Sequence, residues 1–312
     1  MPKNNFKKPY PTSHITFKPV DKCIYCGSVE RLTREHIVPK ALNGTMILPK
    51  SSCHACAVIT TKFEQSITKV MYGIMRNKRD YKTYHPKKRS KNMPVSYSTS
   101  EGVIKSINLD LANFPDVNQV VILPPPGILT KSPLTEMNPE MQMTYVTDTN
   151  EIANIISLIE NESGDKNIAL SLSHTFPWGD FCRLLAKIAH GYLVANVGQE
   201  GYIPLLPDLI LGHSPYLAHY IGGIDGHGSV HLMTYDLQLH IVASPGKDHI
   251  IPGEDAGYFA VYIHLLGGIP MPTYQVIAGK ITDFDLIIEM VNSKKTDAQE
   301  QLPYPADWLK DM

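Results

Sequence analysis

Four cysteines stand in two CxxC pairs, Cys23 with Cys26 and Cys53 with Cys56, and 26 residues separate the pairs. Thiolates are soft ligands, and a CxxC turn lets both of its sulfurs face one ion, so this pattern predicts a tetrahedral structural Zn2+ site. A thioredoxin-like redox pair would need one CxxC opening a helix within a βαβ pattern, and nothing around residue 23 supplies it. Between the pairs lies EHIVPK, residues 35–40. Glu35 offers a carboxylate, which suits a hard cation, and His36 an imidazole able to take a proton near pH 7. An acid and a base beside a metal-stapled turn have the makings of phosphodiester chemistry. The plainer alternative is a zinc knuckle with Glu35 and His36 merely on its surface. Cys182, in the apolar stretch FCRLLAKIAHGYL, reads as a buried small hydrophobe.

These side chains need elements to hold them. VERLTREHIV predicts a turn followed by a strand from Leu32 to Val38, LNGT a turn, and TMILP a second short strand. Beyond CHAC, Ile59, Phe63, Ile67, Val70 and Ile74 recur every three or four residues, an amphipathic helix. Two strands and one helix bury little core, so the ion is expected to contribute folding free energy. Residues 1–20 read as an irregular arm and residues 81–98 as a basic linker around HPKKRSKNMP. Strand signals follow in GVIKSINLDL, NQVVILPPPG, MQMTYVTDT and IALSLSHTF. DTNEIANIISLIENES, with Asp148 as N-cap, and WGDFCRLLAKIAHGYLVANVG predict helices, and VHLMTYDLQLHIV, GYFAVYIHLL and TYQVIAGKI predict strands. The fold class is therefore α+β. A small zinc-stapled domain over residues 21–80 precedes a larger α+β domain over residues 99–312, with a mostly antiparallel sheet and two main helices.

The net charge of -1 hides a division. Residues 1–94 hold 19 Lys or Arg against 5 Asp or Glu, a net of +14, and residues 95–312 hold 10 against 25, a net of -15. A basic lobe of this size attracts an anionic partner such as DNA, and Arg76, Lys78, Arg79 and the run KRSK suit phosphates. Docking on the acidic half would mask it instead. No apolar run is long enough to cross a bilayer, and the lysine-rich start lacks the apolar stretch of a signal peptide, so a cytoplasmic protein is expected.

The stretch CIYCGSVERLTREHIVPKALNGTMILPKSSCHACAVITTKFE resembles the HNH endonuclease family, in particular its forms with two zinc-binding cysteine pairs. The likeness covers about residues 20–70. It implies a ββα-metal fold that hydrolyses DNA phosphodiester bonds with one catalytic divalent ion, Mg2+ or Mn2+, besides the structural zinc. His36 would be the general base, and Glu35 would ligate the catalytic ion. At position 57 the chain departs from the family, which carries Asn or His directly after the last cysteine. Ala57 offers a methyl group, which neither ligates a metal nor forms a hydrogen bond. Either the site is naturally weakened, or an Asn or His has been replaced to trap an inactive form. In both cases Glu35, His36 and Ala57 make a catalytic set expected to cleave weakly or not at all.

Ser51, or else Asn43, would be the family's middle polar residue. His54 lies on the knuckle surface near phosphate, and Glu64 is a fallback metal ligand. Lys62 and Lys69, seven apart on the helix, would contact the nucleic-acid backbone together with Arg76, Lys78 and Arg79. The second half matches no catalytic pattern, although CRLLAKIAHGY is similar to a segment often found C-terminal to such motifs. Arg183, Lys187 and His190 share a helix face there, where they would hold a phosphate or carboxylate or simply form a polar edge. His227, His231 and His240 are too loosely placed for a metal claim, and GGIDGHG lacks the order of a nucleotide loop. The acidic half reads as a dimerisation body, or as a sensor answering to an operon partner or small-molecule activator. The chain is thus expected to be a metal-dependent DNA endonuclease of the host-defence or mobile-element kind. The alternative is a non-catalytic zinc-stapled nucleic-acid-binding module.

Overall fold

The computed structural model describes residues 12–81, 90–115, 117–138, 140–147, 149–171, 175–224, 229–247 and 256–297. At its N-terminal end β1 (Ile15–Thr16) runs parallel to β3 (Met46–Cys53), and β3 pairs antiparallel with β2 (Leu32–His36). The first strand expected to reach Val38 stops at His36: Pro39 brings no N–H to the ladder, and a 3-10 turn at Lys40–Leu42 follows, closed by Asn43 in the left-handed region. Helix α1 (His54–Ser66) starts inside the second cysteine pair. A π-turn at Ile67–Met71 then leads into α2 (Gly73–Lys78). The wider turn rotates the apolar stripe, which is why Ile67 is buried while Val70, expected on the same face, is exposed.

The next segment forms β4 (Asn92–Ser98), β5 (Ile104–Asp110), β6 (Asn118–Ile122), α3 (Gly127–Thr130), β7 (Gln142–Val146), α4 (Thr149–Ser163) and β8 (Ala169–Ser171). β4 begins inside the stretch expected as linker; residues 82–89 of that stretch lie outside the described residues. Its Val95 and Tyr97 alternate inward, and Pro94 is tolerated because β8 pairs only with Ser96 to Ser98. The antiparallel sheet β5-β4-β8 shares a small core with α4, built on Val95, Tyr97, Leu109, Ile155 and Ile159. β6 and β7 form a separate antiparallel pair.

The remainder runs α5 (Trp178–Asn196), β9 (Tyr202–Pro204), α6 (Pro207–Leu211), α7 (Leu217–Tyr220), β10 (Ile221–Gly223), β11 (Ser229–Val230), β12 (Tyr235–Val242), β13 (Tyr258–Leu265), β14 (Pro270–Met271), β15 (Tyr274–Ile281) and α8 (Phe284–Asp297). An antiparallel sheet ordered β10-β15-β13-β12, with β9 on the far end of β15, packs one face on α5. α8, which the sequence reading does not anticipate, starts where Asp283 Oδ1 accepts the Leu286 N–H at 3.0 Å. No helix among the described residues is long and apolar enough to cross a membrane.

The architecture is mixed α+β with several mostly antiparallel sheets. One apolar core joins Ile37, Leu48 and Phe63 of the N-terminal lobe to Phe181, Leu184 and Ile188 of α5 and Phe259 and Val276 of the sheet. The lobe expected as a separate domain therefore shares its interior with the C-terminal half. Tyr235 of β12 strengthens that union, its hydroxyl lying 2.8 Å from Thr45 Oγ1.

Candidate metal centre and the buried acidic pair

Two turns bring the cysteines together. In the first, the Gly27 N–H bonds to Cys23 O at 2.9 Å, and Gly27 takes φ +77°, a conformation glycine adopts without strain. In the second, Cys53 ends β3 and Cys56 lies in the first turn of α1. The four Sγ atoms all fall within 4.8 Å of one another, with Cys26 exposed and the other three buried. Cys26 Sγ and Cys53 Sγ stand 3.7 Å apart, far too long for a disulfide. A tetrahedron with metal–sulfur bonds of about 2.3 Å has an edge of about 3.8 Å, so the spacing fits four thiolates around one ion. The four cysteines are positioned to hold a metal ion, and the donor set is compatible with structural zinc.

Glu35 and His36 close β2. The register slips between Thr33 and Glu35, and a bulge of this kind re-aims the side chains that follow it. Glu35 turns inward and is 7% exposed, while His36 is half-buried. Burial, then the positive charges of Lys187 and Arg34, push the His36 imidazole below its ordinary value, so the ring is neutral at pH 7.

Inside, Glu35 meets a partner from the other end of the chain. Lys187 of α5 has no exposed surface, and its Nζ lies 2.7 Å from Glu35 Oε1 and 2.9 Å from Glu64 Oε1. The same ammonium donates to the carbonyl oxygens of His36 and Ile37. Burial alone would lower the lysine; the two carboxylates outweigh it and hold Lys187 above its ordinary value. Burial pushes Glu64 up, and Lys187 opposes that shift. One turn further along α5, His190 places Nε2 2.7 Å from Ile24 O, between the first two cysteines. The helix face that reads in sequence as a phosphate or carboxylate holder thus binds carboxylates of its own chain.

Other expected site residues take different places. Ala57 sits half-buried in the first turn of α1. Ser51 is fully buried and donates to Leu48 O at 2.6 Å, so it faces the interior. Lys62 and Lys69 are exposed on α1 and the π-turn, with Lys69 Nζ 2.9 Å from Gln65 Oε1. Arg76 donates to Ala41 O and Thr68 O. Lys78 bonds to Phe114 O at 2.7 Å and Glu151 Oε2 at 3.2 Å. These two cations, expected on nucleic acid, tie the protein together, and Arg79 beside them is partly buried. His54 is exposed. His227 lies outside the described residues.

A hard divalent ion would need oxygen donors facing an open position. Glu35 and Glu64 converge on one point, but the Lys187 ammonium holds it, and Ala57 adds no donor. The residues as they stand do not fit a catalytic ion. No family model, curated protein or solved structure matches the chain.

Proposed function

We propose that this chain is an HNH-type endonuclease for DNA, in a form that cleaves weakly or not at all as written, with zinc in its four-cysteine centre. The observation that carries the reading is the company His36 keeps. A neutral, half-exposed imidazole ends one strand of an antiparallel pair, whose other strand runs directly into a helix opened by the second cysteine pair. A neutral imidazole there can take the proton of an attacking water. The exposed Lys62 and Lys69 supply positive charge for a phosphate backbone. In the family, a bound divalent ion stabilises charge on the scissile phosphate and the leaving oxygen; in this chain the donors it would need are engaged by Lys187 or missing at Ala57. That same point favours a second reading, a non-catalytic zinc-stapled module that binds nucleic acid.

Nicking of supercoiled plasmid with Mg2+ or Mn2+ separates the two. Ala57→Asn should raise cleavage at least about tenfold over the unaltered chain, and His36→Ala added to it should abolish the gain without changing zinc content. Equal, absent cleavage by all three proteins, with DNA still bound, would leave the binding module.

A further inference from the structure

The sheet face turned away from α5 is polar. The antiparallel register sets Asp236 opposite His264 and Gln238 opposite Tyr262, and Tyr262 in turn opposite Gln275. Residues alternate across a strand, so these side chains share one face while Leu237, Leu239, Val261 and Ile263 enter the core. Two pairs of rings there are nearly parallel. His231 stacks on His264 with centroids 3.6 Å apart and planes 26° apart, and His240 stacks on Tyr262 at 4.3 Å and 25°.

A cavity of about 130 Å3 opens here, lined by the apolar Ile224 and by His231, Asp236, Gln238, Tyr262, His264 and Thr273. His264 is 1% exposed, yet neither of its ring nitrogens has a hydrogen-bond partner. A buried polar group without a partner is costly and rare in a folded protein, and the residue that carries these nitrogens borders the cavity. Burial, and secondarily the neighbouring His231, pushes His264 down to about 3, so the ring is neutral and carries one donor and one acceptor. Asp236 accepts from Gln238 Nε2 at 2.8 Å and has further acceptor capacity. The Tyr262 hydroxyl accepts from Gln275 Nε2 at 3.2 Å, leaving its own proton to donate.

We propose that this cavity binds the ring of a nucleobase, presented as an uncharged nucleoside. Flat side chains in near-parallel pairs suit a planar ligand, as stacking platforms for bases do. Neutral imidazole, carboxylate and phenol together match the mixed donors and acceptors along the edge of a base. The volume lies well below the roughly 300 Å3 at which pockets for drug-sized ligands begin, which limits the ligand to about one ring system. The net charge of -15 on residues 95–312 disfavours bare phosphates. A preformed ion site does not compete with this assignment: among the described residues only the four cysteines gather three or more metal-binding groups within 4.8 Å. The cavity shares no residue with the metal centre, so its test and that of the nuclease reading stand apart.

The test titrates the full chain with adenosine, guanosine, cytidine and uridine by calorimetry, while following histidine ring nitrogens by long-range 1H–15N NMR. At least one nucleoside should saturate and move the His231 and His264 signals; ribose should do neither, and the matching 5′-monophosphate should bind more weakly. His264→Leu should abolish binding and raise the thermal midpoint of the free protein, because it removes an unpaired buried imidazole. His231→Ala, at a partly exposed position, should weaken binding by about tenfold through loss of stacking. The proposal is overturned if no nucleoside binds at millimolar concentration, if affinity survives both substitutions, or if only Zn2+ added alone moves the two histidines.

Discussion

At the scale of the residue, Lys187 governs the N-terminal site. Taking an ammonium and two carboxylates out of water is expensive, and only their mutual contact makes the arrangement tolerable. Lys187→Met should therefore destabilise the protein by about 3–5 kcal/mol, because Glu35 and Glu64 would be left facing each other without a cation. Urea denaturation at pH 7 measures this, and adding Glu35→Gln and Glu64→Gln should recover much of the loss. A Lys187→Met protein within 1 kcal/mol of the parent would sink this account. His264 makes a second case. Its folded-state value of about 3 lies below the ordinary 6.5, so between those values the unfolded chain binds the extra proton. The contribution of the neutral ring is fully present above the ordinary value and is lost as pH falls. Between pH 6 and pH 5 His264 should cost about 1 kcal/mol of stability, and His264→Leu should flatten the stability curve by that amount. Loss of any ion from the four cysteines in acid affects both proteins alike and drops out of the comparison.

At the scale of the element, α1 faces two ways. One side carries Phe63 into the core and Glu64 onto Lys187; the other shows Lys62 to solvent, with Lys69 one turn beyond the helix end. Lys62→Glu with Lys69→Glu should weaken duplex DNA binding and lower the log–log salt slope by about 2, because two phosphate contacts are lost. Fluorescence anisotropy across a salt series reads it, and an unchanged slope would remove this face from the interface. The same charge reversal at Arg76 or Lys78 should act mainly on folding, since both donate to carbonyl oxygens within the protein. Much of the framework was legible in sequence: α5, β12, β13 and β15 follow from apolar periodicity, and the gathering of the four cysteines from residue type and spacing, whereas β2 ends two residues short of the expected Val38. What was not legible depends on geometry created by folding. The π-turn after α1 has no signal in the periodicity it disrupts, and β4 was hidden by the basic run before it. Lys187 reads in sequence as one of three polar residues, with Arg183 and His190, on a single helix face, but its carboxylate partners lie more than 120 residues away, and spacing gives no information about such pairs.

At the scale of the whole molecule, the shared core changes what metal removal should do. An independent zinc lobe would melt by itself. Here Ile37, Leu48 and Phe63 pack into the same interior as α5, and chelation should lower a single cooperative transition rather than split it in two. Calorimetry before and after chelation, with zinc counted by elemental analysis, checks this; two resolved transitions in the stripped protein would show that the lobe melts on its own. The long-range tie has a further meaning when the chain is considered in order of manufacture. The cysteines are complete at residue 56 and both carboxylates at residue 64, whereas their cation comes at residue 187. At about 5–20 residues per second the ribosome needs roughly 6–25 s to cover that interval. A nascent chain can thus close its four cysteines on a metal ion well before Glu35 and Glu64 acquire their ammonium. During those seconds both carboxylates stay with water or with whatever cations the surroundings provide, and burial of the β2 end waits for the arrival of α5.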